Sequence, residues 1–155
     1  MATSYDKQST NMKKSTLILS FLLFAVLIST SSSCKRDDYT EIPNVYVNLY
    51  LDISSTLYIE LSTVGGYVNL TGGYKGITVY RASQYDFVAF ERCCTYDVEV
   101  DSARVDVDPS GLSLTCPACH SQFLILDGSI ISGPATRPLK QFYTQFDGDD
   151  LHIYN

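Results

Sequence analysis

The sequence predicts an all-β domain of antiparallel strands, arranged as a sandwich or as small barrels. Three observations lead to this prediction: short segments in which apolar and polar residues alternate, turn residues at close intervals between them, and no sustained helical periodicity after residue 33. When apolar and polar residues alternate along a strand, one row of side chains faces the core and the other row faces solvent. Short strands that follow one another so closely pair most simply as antiparallel neighbours.

The first predicted strand, 45–51, shows this pattern most clearly. In Val45-Tyr-Val-Asn-Leu-Tyr-Leu51, valine and leucine occupy every second position, with tyrosine and asparagine between them. The remaining strands are predicted at 57–63, 66–70, 77–81, 85–91, 103–107, 112–115, 122–126, 129–132, 139–145 and 151–154. Turn residues separate many of these segments, at Gly65-Gly66, Gly72-Gly73, Pro109-Ser-Gly111, Asp127-Gly128 and Asp147-Gly148. Of these turns, Asp-Gly is the one that most favours a tight hairpin.

Residues 1–33 have the three parts of a secretory signal. Basic Lys13 and Lys14 come first, an apolar run covers 17–28, and small residues lead to Cys34. The apolar run of twelve residues is too short to span a bilayer as a stable helix. A run of small residues before a lone cysteine is typical of a lipoprotein processing site, so we expect Cys34 to become the acylated first residue. An ordinary cleaved signal is the alternative.

These features divide the chain into a signal peptide (1–33), a lipidated cysteine with a polar tether (34–43) and a β-domain (44–155). The 122 residues that remain after cleavage fit one domain with a modest core. We expect an exported protein that acyl chains on Cys34 anchor to a bacterial cell-envelope membrane, on either its periplasmic or its surface face.

The chain is acidic, with 11 Lys+Arg against 17 Asp+Glu and a net charge of −6. Cleavage after residue 33 would remove three basic residues and one acidic residue, which leaves 8 against 16 and a net charge of −8. Nucleic-acid phosphates require a basic face, and anionic lipids attract basic segments. The charge therefore argues against nucleic acid as a partner and leaves the acyl chains as the membrane attachment.

Apart from Cys34, the cysteines fall in two close pairs, Cys93/Cys94 and Cys116/Cys119. Residue chemistry allows three interpretations. Thiolates from two loops can hold a metal ion or an iron–sulfur cluster, since Cys-x-x-Cys can grip one ion. An oxidising compartment favours disulfides instead. The third interpretation is a domain that has lost its metal and is kept as a scaffold.

The segments around both pairs resemble the Rieske iron–sulfur domain. The resemblance spans about 45 to 155 and is carried by Arg92-Cys-Cys-Thr-Tyr-Asp97, Thr115-Cys-Pro-Ala-Cys-His-Ser-Gln-Phe123 and the proline-rich loop Ser132-Gly-Pro-Ala-Thr-Arg-Pro-Leu139. The family holds a [2Fe–2S] cluster with Cys-x-His and Cys-x-x-His loops, two thiolates on one iron and two imidazoles on the other. Here Cys94 and Cys116 match the two cysteines, while Tyr96 and Cys119 stand where histidines are expected.

The resemblance implies a Rieske-like antiparallel β-fold with a two-loop cluster-binding subdomain. It also implies a set of metal ligands: Cys94, Cys116, Cys119 and, as fourth candidate, Tyr96, with Cys93 and His120 as alternatives. Four further residues match positions that support the cluster in the family: Ser121, Phe123, Gly133 and Pro134. A site with three or four sulfur donors would equally suit zinc.

The sequence contains no motif that indicates a catalytic site. It shows no hydrolase triad, no dinucleotide-binding glycine motif and no complete calcium loop. Catalytic relatives of Rieske domains need a separate active-site domain, for which 122 residues leave no space. We therefore expect a membrane-anchored iron–sulfur or metal-binding protein that exchanges electrons with a redox partner and has no catalytic activity of its own. The alternative is a structural or interaction lipoprotein whose cysteine loops are disulfide-bonded and hold no cluster.

Overall fold

Ten β-strands and one 3₁₀ helix make up residues 40–155, the part of the chain that the computed structural model describes. Six strands form one antiparallel sheet, in the spatial order β1 (Asn48–Asp52), β10 (Asp150–Tyr154), β9 (Gln141–Phe146), β4 (Phe87–Glu91), β3 (Ile77–Arg81) and β2 (Tyr67–Leu70). Four strands form a second sheet, in the order β5 (Asp106–Val107), β6 (Ser113–Thr115), β7 (Gln122–Leu124) and β8 (Ile130–Ser132). The antiparallel all-β fold expected from the sequence is confirmed.

Strand β4 contributes to two hydrophobic cores because its side chains alternate between opposite faces. Phe87 and Ala89 belong to the first core, which lies on the six-stranded sheet. Phe90 belongs to a second core, together with Leu114 and Phe123 of the four-stranded sheet. Phe90 and Phe123 are fully buried, and burial of a phenylalanine side chain contributes roughly 1.5–3 kcal/mol. The second core therefore joins the end of β4 to the smaller sheet.

The strand predicted at 57–63 is wrong, since the segment forms a 3₁₀ helix, Thr56–Ser62. The side-chain oxygen of Ser55 caps its start by accepting a hydrogen bond from the N–H of Leu57 at 3.3 Å. Leu57 and Ile59 are exposed, and Leu61 is the buried residue of this helix. The residues of this segment that pack against the first core, Tyr58 and Leu61, are three apart, which is the spacing of a 3₁₀ turn and not of a strand.

The strand predicted at 103–107 is shorter in the structure, where it covers Asp106–Val107. The chain before it turns: the N–H of Ala103 donates to the C=O of Val100 at 2.9 Å. Arg104 pairs only through an isolated bridge to Cys93. The other predicted strands are present, with ends that differ by at most three residues.

The predicted signal peptide, Cys34 and residues 35–39 lie outside the described part of the chain. Within 40–155, no helix is long and apolar enough to cross a membrane.

Candidate metal centre

The first cysteine loop continues directly from strand β4. Alternation along the strand carries on past its end, so Cys94 lies in the second core with Phe90, while Cys93 lies in a separate small cluster. The N–H of Cys94 donates to the C=O of Ala103 at 3.0 Å, and Cys94 is fully buried. The alternation of β4 therefore decides which of the two adjacent cysteines faces the smaller sheet.

The second cysteine loop joins β6 to β7. Its backbone is closed by two hydrogen bonds, from the N–H of Cys116 to the C=O of Ser121 at 2.9 Å and from the N–H of His120 to the C=O of Cys116 at 2.8 Å. His120 takes the left-handed conformation, with a φ of 60°, and its side chain is exposed. Cys116 is buried and Cys119 is partly exposed. The loop is thus a tight turn with Cys116 at its base.

The two loops bring three sulfur atoms together. The Sγ atoms of Cys94, Cys116 and Cys119 all lie within 4.8 Å of one another, and those of Cys94 and Cys119 are 3.5 Å apart. All three are free thiols. Among residues 40–155, no histidine, carboxylate or further thiol joins the group. Three of the predicted metal ligands therefore lie together, and their role as metal ligands stays a prediction.

Ser121 links this group to the proline-rich loop, 132–139. Its Oγ accepts a hydrogen bond from the Cys119 thiol at 3.1 Å and another from the N–H of Ala135 at 3.1 Å. Gly133 lies so close to Ser121 that a Cβ added there would overlap Ser121 Cα and approach its Oγ to 2.8 Å. Ser121 and Gly133, both predicted to support the site, therefore contact each other beside Cys119.

The other two predicted supporting residues, Phe123 and Pro134, differ in burial. Phe123 is fully buried in the core that holds Cys94 and Cys116, so it forms part of the apolar wall behind the thiols. Pro134 is exposed. The ring of Pro134 fixes its own backbone φ angle, so this residue contributes to the shape of the loop.

Replacing Gly133 by alanine is expected to destabilise the domain by about 1–3 kcal/mol, because the new methyl group overlaps Ser121 and the φ of +103° suits glycine. Urea denaturation of the purified protein measures this loss. Gly148→Ala is the matched control, since Gly148 has a φ of +115° but nothing within 4 Å of an added Cβ. Equal destabilisation by the two variants would show that the contact with Ser121 contributes nothing.

The three thiols differ in acidity. Burial raises the pKa of Cys94 and the pKa of Cys116 above the ordinary value for a thiol. Burial also acts to raise the pKa of Cys119, but hydrogen bonds with the hydroxyl and N–H of Ser121 and with the other two thiols outweigh it and lower that pKa. Cys119 is therefore the thiol of the three that ionises most readily, and a metal that binds the group would displace protons from the thiols.

The structure does not bring Cys93 or His120 into the group of three sulfur atoms. The Sγ of Cys93 instead lies 3.6 Å from the C=O of Cys94 and 3.8 Å from that of Val98, and burial raises the pKa of Cys93 to about 11. The side chain of His120 is exposed. Tyr96, the other candidate for a fourth ligand, has a side chain that is 53% exposed.

Two residues that hold the first loop are not among the site residues predicted from the sequence. Thr95 is buried, and its hydroxyl donates to the C=O of Arg137 in the proline-rich loop at 2.8 Å. Glu91 is 1% exposed, and its carboxylate accepts a hydrogen bond from the N–H of Cys93 at 3.2 Å. No pattern in the sequence marks Thr95. Glu91, in contrast, ends the apolar run Phe87-Val-Ala-Phe, and a charge at that position can signal a buried role.

The side chains present fit a metal held by thiolates and do not fit two-imidazole ligation. A Rieske centre takes two of its four donors from histidine. Neither His120 nor His152, the histidines of this chain, joins the three sulfur atoms. The sulfur atoms themselves, backed by a buried apolar wall, are the donor set that soft or borderline ions such as iron and zinc prefer.

No protein-family model matches the chain, and no curated protein is similar to it in sequence. Solved structures are similar in fold. The cyanobacterial plasma-membrane Rieske protein PetC3 from Synechocystis PCC 6803 has a TM-score of 0.51 and 18% sequence identity, over 66% of this chain and 97% of that one.

Two further structures have lower TM-scores. A complex of reduced oxygenase and oxidised ferredoxin in carbazole 1,9a-dioxygenase has a TM-score of 0.46 and 22% identity, over 68% of this chain and 99% of that one. The ferredoxin of carbazole 1,9a-dioxygenase from Nocardioides aromaticivorans IC177 has a TM-score of 0.43 and 16% identity, over 59% and 86%. The similarity to PetC3 shows that the fold of this chain is Rieske-like, as the resemblance in its sequence implies.

Proposed function

We propose that this chain is an exported, lipid-anchored metal protein whose Rieske-like domain transfers electrons through iron held by thiolates, as an iron–sulfur cluster or as a single ion. One observation carries the proposal: the Sγ atoms of Cys94, Cys116 and Cys119 lie within 4.8 Å of one another. Three thiols from two separate loops form a set of soft ligands with the reach to hold a metal. The Rieske-like fold supports the electron-transfer role.

The residues around the thiols would each have a physical task. Cys94 and Cys116 anchor the metal from the buried side, where Phe123 excludes water. Once Cys119 is a thiolate, the hydroxyl of Ser121 can donate to its sulfur and stabilise the negative charge there. Iron bound at this position would take up and release one electron at a time, and hydrogen bonds to its sulfur ligands would tune the potential.

A redox partner would approach from the side of Cys119, the partly exposed thiol. The neighbouring residues Pro117, Ala118 and Pro134 are exposed and carry no charge, so a partner can come close there without desolvating ionised groups. We expect this chain to have no catalytic activity of its own. The partner would be a protein, because the acidic chain repels nucleic acid.

Purification without oxygen, followed by visible absorption spectroscopy and iron, sulfide and zinc analysis, tests this function. We expect bound iron and an absorption band from sulfur-to-iron charge transfer that bleaches reversibly on reduction. Protein that binds only zinc would lack the electron-transfer role, since zinc has no redox chemistry. Protein that binds neither metal, even after anaerobic reconstitution, would contradict the whole proposal.

A cluster-free lipoprotein with disulfide-bonded loops is the second candidate, and the 3.5 Å separation between the Sγ atoms of Cys94 and Cys119 favours that pairing. The group contains three thiols, however, so a disulfide between two of them would leave Cys116 alone in a buried site. Alkylation of the denatured protein with and without reductant separates the two candidates. Disulfide bonding hides two thiols until the reductant is added, whereas a metal protein exposes all of them on denaturation.

Replacing Cys34 by alanine is expected to abolish incorporation of labelled fatty acid and to leave an unprocessed precursor or a released soluble form, because the thiol is the site of acylation in the proposed anchor. Cell fractionation with a lipid label measures both effects. Cys119→Ala is the control, since it changes the metal site and should keep the label. Wild-type protein found in the soluble fraction without lipid would refute the anchor.

A further inference from the structure

We propose that the three thiolates hold a single iron ion rather than a two-iron cluster, and that the fourth coordination position is open to a ligand from outside this chain. This inference rests on the proposed function, because it requires that Cys94, Cys116 and Cys119 bind metal. Beyond that function, the inference concerns how many ions the thiolates hold and whether the fourth coordination position is open.

The spacing of the sulfur atoms fits ligands that share one ion. A tetrahedral ion with metal–sulfur bonds of about 2.3 Å sets its sulfur ligands about 3.8 Å apart. The Sγ atoms of Cys94 and Cys119 are 3.5 Å apart, and no pair in the group exceeds 4.8 Å. Small side-chain adjustments would therefore bring all three sulfur atoms onto a single ion.

The same spacing disfavours a two-iron cluster. In the Rieske arrangement the positions of Cys94 and Cys116 share one iron, and the position of Cys119 belongs to the other. Sulfur ligands on different irons must lie farther apart than ligands on one iron, because both irons and their bridging sulfides stand between them. Here Cys94 and Cys119, the pair that would be divided between the irons, approach each other to 3.5 Å.

Tyr96, Cys93 and His120 are the candidates for a fourth ligand in the described part of the chain, and the side chain of Tyr96 is 53% exposed. The described residues add no histidine, carboxylate or thiol to the three. Cys93 is fully buried in a different cluster, with Ile42 and Val98, and His120 extends its side chain into solvent from a left-handed backbone. Sites with three protein ligands keep a position for water or another small donor, whereas structural zinc sites are closed by four.

The vacancy would lie on the solvent side of the site. Cys94 and Cys116 are buried in the second core, while Cys119 is partly exposed and follows the exposed residues Pro117 and Ala118. An outside ligand with a nitrogen or sulfur donor could reach an ion held there without any movement of the core. Imidazole is a suitable probe, because it binds iron, zinc and cobalt through a neutral nitrogen.

Anaerobic reconstitution of the reduced full-length protein tests the inference in two arms. In the first, the protein receives Fe(II) together with sulfide, and native mass spectrometry and chemical analysis count metal and sulfide per chain. In the second, it receives Co(II) alone, whose visible absorption reports tetrahedral thiolate ligation, and imidazole is then titrated in. The variant His120→Asn is studied in parallel, because asparagine tolerates the left-handed conformation and supplies no imidazole.

In the first arm we expect one iron ion per chain and no bound sulfide. In the second arm we expect a cobalt spectrum that imidazole shifts, with cobalt affinity in His120→Asn within about threefold of wild type. Two irons with two sulfides per chain would overturn the single-ion inference and leave the proposed metal-binding function standing. A cobalt spectrum that imidazole does not change, or a loss of cobalt in His120→Asn, would overturn the open position. Protein that binds no metal in either arm would overturn the proposed function itself.

Discussion

Replacing Cys119 by alanine is expected to weaken metal binding by about 10²–10³-fold. Structural zinc sites bind with about 10–16 kcal/mol shared over four ligands, so one thiolate contributes roughly 2.5–4 kcal/mol, which corresponds to that range of affinity. Cys119 also has the lowered pKa of the group, so its loss removes the thiolate that forms most readily. Competition with a chromophoric chelator under anaerobic conditions, at fixed pH, measures the affinity.

Cys93→Ala is the control for this experiment. Cys93 is a neighbour of Cys94 in the sequence and is equally buried, but its sulfur lies outside the group of three. The control should keep its metal affinity within about threefold of wild type. If Cys119→Ala binds metal within about tenfold of wild type, or if Cys93→Ala loses it instead, the ligand assignment is wrong.

The choice between Cys93 and Cys94 shows what the sequence can and cannot predict about this site. Residue chemistry alone gives two adjacent thiols that point in opposite directions. The resemblance to the Rieske motif indicates Cys94, and the structure supplies the physical reason. Phe90 and Cys94 are four residues apart, an even number, so their side chains lie on the same face of the extended segment and in the same core. The face that buries Phe90 therefore also directs Cys94 toward the second loop.

The contacts with the proline-rich loop lie beyond sequence reasoning because they join distant parts of the chain. The hydroxyl of Thr95 reaches the C=O of Arg137, 42 residues away. Ala135 contributes through its backbone N–H, which donates to Ser121 Oγ, and any residue except proline has that group. Neither contact leaves a residue-specific signal, so both depend on the three-dimensional arrangement.

The strands were predictable where alternation coincided with burial. In β3, the predicted and observed bounds agree, Ile77–Arg81, because its apolar residues pack on both sides. The segment at 57–63 has a similar alternation, yet its apolar residues are mostly exposed and a serine caps a 3₁₀ helix. At 57–63, period-two patterning therefore failed to predict the structure of a segment in which most of the apolar row has no surface to pack against.

Glu91→Gln is expected to destabilise the domain by about 2–4 kcal/mol, because a buried carboxylate that accepts several hydrogen bonds loses both its charge and one acceptor. Glu91 is 1% exposed. Its Oε2 accepts from the N–H of Tyr74 at 2.6 Å, and its Oε1 accepts from the N–H groups of Lys75 at 2.8 Å and Cys93 at 3.2 Å. Glutamine would set its own N–H₂ against one of these donors. Urea denaturation of the purified protein measures the change.

The effect should also reach the metal site, because the same carboxylate holds the turn at 74–75 and the backbone that leads to Cys94. Loosening this support is expected to lower metal affinity by about tenfold, the lower end of the range for residues that orient metal ligands. The exposed residue Glu99, in the variant Glu99→Gln, controls for the loss of one negative charge and should leave both stability and affinity unchanged. A Glu91→Gln protein as stable as Glu99→Gln would mean that the three N–H groups find other partners. A destabilised variant with wild-type metal affinity would mean that the cysteine loops hold their geometry without the hydrogen bonds of the Glu91 carboxylate.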